Sequence, residues 1–583
     1  MSNLKRFALV LTVLVVLVAG FFAMKQQVHA AAVCSPATAI SVPYAKDGVG
    51  DICVVATSLC GYINSWNLTT LEVNGTSYLN AYVAASAIAP LNGSYTIHYV
   101  STVAYGHFEI GGTCGSNPTA TTPPTGPTAT RTRTPTTGPS LTPTRTATVS
   151  TVVPPTVTRT PTTGPTPTNP PQGTHLANAF SGAKMYVNND WNGHTTYNVN
   201  TFLWMDSIDA VNGTNGYTHG LKAHIDLAVA QGANLMGLVI YDLPNRDCSA
   251  LASNGELLIS GQTPSGTTRY RGEYIDVIYS ILAQYPNMRF VAVVEDDSLP
   301  NLVTNLSFAK CQEATSTTDG YVANIQYAVN KLGSLANFYT YIDIGHAGWL
   351  GWDTNFTPAV TLIANAVKGM TKGVNAIDGF ISNTANTSVE TETYLDANTT
   401  VGGNPVRSST FYQWNVYIDE SHFDAAWKTA MQGQGITGTN MLIDTSRNGW
   451  GGCGGGQYAL QTCRPTATST STVLETYVNA SRIDRRPGKG DWCNQDGAGI
   501  GKLPGAGTAP YQEYVWVKPP GESDGSSSLI ANNQGKGFDR MCDPTYGGNS
   551  LNNNVMTNAL PNAPISGQWF AAQFTQLVAN KFP

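Results

Sequence analysis

The chain has 583 residues, too many for one ordinary hydrophobic core, so two or more domains are expected. Only 12 % of the residues are charged and the formal net charge is -6 with no basic patch, which argues against a nucleic-acid-binding protein. Gly, Asn, Ser and Thr are plentiful beside 11 Trp and 27 Tyr, a chemistry suited to a neutral, hydroxyl-rich polymer and also to an exported protein's surface.

Lys5 and Arg6 precede an apolar run over residues 7–24, and Val28-His29-Ala30 offers the small residues that a signal peptidase reads. Residues 1–30 are therefore expected to be a cleaved signal, making the protein secreted and extracellular without stable membrane association. The run is also just long enough to span a bilayer, so a retained anchor is the alternative. Ten cysteines, an even number without a CxxC pair, read as disulfides of an oxidising compartment. No metal-ligand spacing is present, and neither a metal nor a cofactor is expected.

Residues 33–116 contain short β-like runs such as 95–100 and no long helical pattern, as in a small β-rich module stapled by Cys34, Cys53, Cys60 and Cys114. Trp66, Tyr78, Tyr95 and Tyr105 are its candidate sugar platforms, although Trp66 serves equally well as a core anchor. Residues 117–173 are almost wholly Thr, Pro, Ser, Gly and Ala, a composition that cannot form a core. As an extended spacer this linker reaches about 170 Å. A small module tethered this way to a larger domain, 174–583, can hold it near an insoluble surface.

In the larger segment strand-like runs alternate with helix-length stretches. Strands are predicted at 202–205, 238–241, 290–294, 338–342, 379–382, 416–418, 441–443 and 514–517, with helices over 221–235, 271–285 and 321–332. This rhythm predicts an α/β fold, a barrel of mostly parallel strands with chemistry at the C-terminal strand ends. The acids fall there. Tyr-Asp-Leu-Pro-Asn-Arg-Asp-Cys at 241–248 and Val-Val-Glu-Asp-Asp-Ser-Leu at 293–299 each follow an apolar run.

Asp297, crowded by Glu295 and Asp296, is the candidate general acid, because like charges and partial burial keep a carboxyl protonated. Asp247 is placed to share its proton or to orient water. The structural alternative is that these acids cap helices or pair with Arg246 and Arg269. A second constellation, Asp343, His346, Trp349 and Trp352, follows the next strand. A third, Lys518, Glu522 and Asp524, sits in a Pro/Gly-rich turn.

These motifs resemble glycoside hydrolase family 6, the cellulases, and especially its bacterial exo-acting cellobiohydrolases, over about residues 178–583. The resemblance implies a distorted barrel with an active-site tunnel and inverting hydrolysis of β-1,4-glucosidic bonds in cellulose. Cellobiose would leave processively from non-reducing ends. It places the proton donor on Asp297 within Glu295-Asp296-Asp297-Ser298-Leu299, where Asp296 replaces the family's proline. It assigns a ring-distorting role to Tyr241, acid support to Asp247, the water relay to Ser253, and the disputed base to Asp524. Asp343, His346, Trp349, Trp352, Trp492, Lys518 and Glu522 would bind or support substrate. It also implies disulfides Cys248–Cys311 and Cys493–Cys542, leaving Cys453 and Cys463 as a local pair. The expected partners are cellulose and cello-oligosaccharides, bound by a monomer. Long loops after Cys248 and after Lys518 match the family's roof-forming loops. An endo-acting glucanase with an open roof is the alternative, and a non-catalytic scaffold is a third reading.

Overall fold

The structure, a computed structural model, describes nine strands between Thr38 and Gly111, and residues 175–452, 463–532 and 534–582. The expected signal (1–30), the linker (117–173), Cys453 and the aromatic side chains singled out in the small module lie outside the described residues. The chain divides into two units, Met1–Pro154 and Pro155–Pro583.

The first unit is all-β, as its short runs predict. Its strands are β1 (Thr38–Ile40), β2 (Tyr44–Asp47), β3 (Gly50–Ala56), β4 (Tyr62–Trp66), β5 (Thr70–Val73), β6 (Thr76–Ser77), β7 (Tyr82–Ala84), β8 (Tyr95–Ser101) and β9 (His107–Gly111). They form two sheets, ordered β1-β3-β8-β5-β6 and β2-β9-β4-β7. In β8, Ile97 and Tyr99 are buried while His98 and Val100 are half-buried, the period-two pattern of a strand with one face on a core.

The second unit is built on β10 (Leu203–Met205), β11 (Leu235–Ile240), β12 (Arg289–Val294), β13 (Phe338–Asp343), β14 (Gly379–Ser382), a small hairpin of β15 (Thr400–Val401) and β16 (Asn404–Pro405), β17 (Asn440–Asp444), β18 (Gly505–Ala506) and β19 (Glu513–Val515). The main sheet runs β10-β11-β12-β13-β14-β17-β19-β18, parallel except where β18 meets β19. Every residue of β11, β12 and β13 is buried, as parallel strands covered on both faces require. Alternate residues go to different cores: Met236, Leu238 and Ile240 meet the helices, whereas Leu235, Val239 and Tyr241 fill the curled interior. At the seam the Phe202 N–H donates to the Trp516 carbonyl at 2.9 Å, and the Trp204 indole donates to the Val517 carbonyl at 2.8 Å. Gly237 makes this possible, since a Cβ there would lie 2.4 Å from the Phe202 ring.

Three predicted elements differ. Residues 416–418 form no strand: Val416 N–H donates to Gly351 and the Asn415 side chain bonds both Ala347 and Tyr417, so loop contacts replace a ladder. The helix predicted over 221–235 is Leu221–Ala230, because Gly232 turns left-handed (φ 67°) and Leu235 already begins β11. The helix predicted over 271–285 starts earlier, at Gly266, passes through a π-helical stretch over Tyr270–Ile275 and ends at Leu282. The helix over 321–332 forms as predicted, Tyr321–Leu332.

Candidate active site

Acids stand at or just beyond the C-terminal ends of five strands: Asp206, Asp242, Glu295, Asp343 and Asp444. Such positions are unfavourable unless each acid is paired, hydrogen-bonded or protonated, and the five solve the problem differently. Asp206, after β10, accepts from Lys536 Nζ at 2.9 Å. Burial opposes its ionisation, but Lys536 and Arg246 outweigh it and hold the carboxyl down at about 2. Glu295 accepts from the backbone of Asp242 and Leu243 and from the Tyr270 hydroxyl at 2.7 Å, tying the end of β12 to the turn after β11. Burial still pushes it up to about 7.

That turn carries the first functional group. Asp247 is in the left-handed region (φ 48°), and one of its oxygens, Oδ2, accepts from both the Tyr241 and the Ser253 hydroxyls. Arg246 braces the loop from beneath, donating to the carbonyls of Asp206, Tyr241, Ser253 and Asn254, with its guanidinium 4.3 Å from the Tyr241 ring centre. Burial raises the Asp247 carboxyl above its ordinary range, against the pull of the Ser253 and Tyr241 hydrogen bonds.

Asp297 follows β12, left-handed at φ 55° and half-buried. It precedes the helix Ser298–Thr304, yet its side chain makes no capping hydrogen bond. Arg246 approaches Asp242 at 3.8 Å, and Arg269 pairs with Glu273 and Glu256. Helix capping and arginine pairing therefore account for neither Asp247 nor Asp297. Burial, and then the charges of Asp247, Asp343 and Asp524, raise Asp297 well above the ordinary carboxylate range. Asp343 lies beneath: its Oδ2 accepts from the Asp297 N–H at 3.2 Å and the Gly345 N–H at 3.0 Å. Burial lifts Asp343 to about 6.

The third constellation lies after β19. Lys518 donates from its backbone to Asp444 at 2.9 Å and from Nζ to Ser523 at 3.1 Å, and Nζ sits 5.2 Å from the Trp204 ring centre. Burial lowers the Lys518 ammonium and pushes Glu522 up to about 7. Asp524 is engaged on both oxygens: Arg447 Nη1 donates at 2.9 and 2.8 Å, and the Asn494 N–H adds a third bond at 2.8 Å.

A cavity of about 590 Å³ collects Tyr241, Ser253, Asp297, Trp492, Lys518, Glu522 and Asp524 on its wall. Asp247 reaches it through Tyr241 and Ser253. Asp343, His346, Trp349 and Trp352 do not line it: His346 is buried against Asn386, and the two indoles donate to Thr304 and the Gln413 carbonyl. The wall also holds Trp204, Trp569 and His194, which sequence reasoning passed over; His194 stacks on Trp569 at 4.8 Å. For Trp204 a signal existed, an indole in a strand that ends in an acid. Burial also lowers the His224 imidazole on this wall to about 4, against the pull of Asp190.

Two long loops meet over the site. The Leu251 N–H donates to Asp539 at 2.9 Å, and the Gly537 N–H donates to the Leu251 carbonyl at 2.8 Å. Disulfides Cys248–Cys311 and Cys493–Cys542 form, and Ala252 packs against the latter, beside Trp492. Cys463 is also disulfide-bonded.

The raised carboxyls make stability pH-dependent. Glu295, Glu392, Glu420, Asp491, Glu513 and Glu522 all stand near about 7, above their unfolded values, so each contributes stability at low pH that is lost as pH rises through the folded value. Buried His224 and His346 act oppositely, but their contribution is complete above about pH 6.5. The thermal midpoint of this unit is therefore expected to fall between about pH 6.5 and 8. A calorimetric midpoint that rises over that window would contradict this account.

Comparison with known proteins bears on family and fold. The family model described as glycosyl hydrolases family 6 matches residues 182–581, and that of carbohydrate-binding module 64 matches residues 37–111. Exoglucanase A of Cellulomonas fimi is 46 % identical over 442 residues, 70 % of this chain and 49 % of that protein, so the chain spans about half of that relative's length. Exoglucanase 2 of Hypocrea jecorina is 34 % identical over 388 residues, 66 % of this chain and 67 % of that protein. The solved catalytic domain of Cellulomonas fimi Cel6B superposes with a TM-score of 0.64 at 44 % identity, covering 70 % of this chain and 96 % of that one.

Proposed function

The chain belongs to glycosyl hydrolase family 6, and from that premise we propose that it cleaves β-1,4-glucosidic bonds of cellulose with inversion, releasing mainly cellobiose. The observation that carries this reading is Asp297: half-buried, without an ion-pair partner among the described residues, raised in pKa and facing the cavity. A carboxyl held in that state keeps its proton until it can donate to the glycosidic oxygen. Water then attacks the anomeric carbon from the opposite face in one step, with no sugar–enzyme bond formed.

The base is the less direct assignment. Asp524 has both oxygens occupied by Arg447 and Asn494, which leaves it poorly placed to take a proton from water. Asp247 is buried, raised in pKa and bonded to Ser253, whose hydroxyl faces the cavity. The arrangement favours proton transfer from the attacking water through a second water held by Ser253 to Asp247. Tyr241, bonded to the same carboxylate, would press the reacting sugar ring out of its relaxed shape. Lys518, Glu522 and the indoles of Trp204 and Trp492 would hold the chain, while Asp343 positions Asp297 through its backbone. Trp349 and Trp352, beyond β13, would extend the sugar path outside that cavity, and buried His346, its ring 6.3 Å from that of Trp349, would support them.

Exo action is favoured by the hydrogen-bonded meeting of the two loops, since a roofed cleft keeps a threaded chain from leaving. The test is product analysis on swollen cellulose. Soluble cellobiose with few new reducing ends in the solid supports a closed tunnel, and rapid accumulation of insoluble ends points to an endoglucanase. Cutting the roof contact with Asp539→Ala is expected to raise the insoluble share of new ends severalfold while cleavage continues. An unchanged ratio would remove the roof from the explanation.

In this reading the first unit binds carbohydrate and the linker tethers it to the cleaving unit. The protein is secreted and works as a monomer. Among the described residues no helix is long and apolar enough to cross a membrane.

A further inference from the structure

We propose that Asp190, His219 and His224 form a binding site for one divalent transition-metal ion, zinc in the first instance, in the wall of the cavity. The three side chains offer donor atoms that all lie within 4.8 Å of one another, and all three residues line the cavity. Asp190 Oδ1 is 2.8 Å from His219 Nδ1, and Asp190 Oδ2 is 3.6 Å from His224 Nε2. Zinc bonds of about 2.0–2.2 Å put neighbouring donors of a tetrahedral site roughly 3.3 Å apart. The two observed separations bracket that value, so small side-chain adjustments would close the set on an ion.

An ordinary hydrogen-bonded His–Asp pair explains only half of the cluster. It accounts for His219 and one oxygen of Asp190. It leaves His224, only 2 % exposed, with Nε2 directed towards Asp190 at 3.6 Å, beyond hydrogen-bond length. An ion held between them would bind that nitrogen together with the carboxylate oxygen it faces. The other ring nitrogen is already committed, with Nδ1 3.1 Å from the Tyr186 hydroxyl. Holding the far nitrogen of a ligating imidazole by an outer hydrogen bond fixes the ring and aims the near one. With Nδ1 carrying the proton, the Nε2 lone pair faces the carboxylate.

The backbone supplies the donors from three places. His224 lies on the buried face of the helix Leu221–Ala230, and His219 is in the loop just before it. Between them Gly220 passes against Asn212 and Gly213, where a Cβ would lie 2.6 Å from the backbone. Asp190 is in the short helix Asn189–Asn192, its N–H held by Asn188 Oδ1 at 3.0 Å. Two imidazoles and one carboxylate suit zinc, or copper at comparable geometry, and supply too few oxygens for calcium or magnesium. The fourth position would face the cavity and take water or a sugar hydroxyl.

The test is calorimetric titration of ZnCl2 into the full-length protein after chelator treatment, compared with His219→Ala and Asp190→Asn. Both positions are only half-buried, and circular dichroism checks that each variant is folded. The expected result is a saturable site of one zinc per chain, weakened at least tenfold in each folded variant. Cobalt added instead of zinc should give the visible absorption of a four-coordinate ion, and the variants should lose it. No saturable zinc binding to the wild type, or equal binding by the folded variants, would overturn the proposal.

Discussion

Replacing Asp297 with Asn is expected to abolish release of soluble sugar from swollen cellulose while adsorption to the solid is retained. The change keeps the shape and neutrality of the protonated carboxyl and removes only its ability to give up a proton. Loss of a general acid lowers turnover by about 10²–10⁴-fold. Folding should hardly change, because the Asp297 side chain neither caps the helix that follows it nor forms an ion pair among the described residues. A cellobioside with a leaving group that departs without protonation should still be cleaved by the variant, because for that substrate the missing proton is not needed. Adsorption isotherms, reducing-sugar release and hydrolysis of the activated substrate together make the check. Undiminished turnover of the variant on cellulose would withdraw the acid role from Asp297.

Asp524→Ala is expected to fail for a different reason. Arg447 is almost wholly buried and both Asp524 oxygens accept from it, so truncation strands a guanidinium in the interior. Breaking a buried pair from one side costs about 3–5 kcal/mol. Thermal and denaturant unfolding of the variant should show that loss alongside reduced activity, and added azide should not restore turnover. If Asp524 were the direct base, the reverse pattern would appear: near-normal stability, severe loss of activity, and rescue by a small anion that needs no deprotonation. Ser253→Ala provides the complementary measurement, since a water relay predicts a fall in kcat larger than any rise in KM.

The local motifs were legible because their physics is local. An apolar run that ends in Tyr-Asp-Leu-Pro-Asn-Arg-Asp-Cys announces a buried strand and a charged turn, and both form where expected, at β11 and after it. Residues 416–418 misled for the converse reason. Their apolar spacing is strand-like, but their backbone partners are Gly351 and the Asn415 side chain, which no periodicity records.

By itself the sequence determined the two-unit plan, the alternation of β and α and the acids at the strand ends, Asp297 among them, because burial period and turn chemistry are set within a few neighbouring residues. Only the tertiary structure decided what each charge meets. Arg447 reaches Asp524 across 77 positions, Asp343 holds the backbone of Asp297 across 46, and Leu251 bonds Asp539 across 288. It also brought Asp190 beside His219 and His224, a grouping whose spacing resembles no metal motif. Protonation and pairing depend on distance and burial in three dimensions, and closing the curled sheet is what sets both.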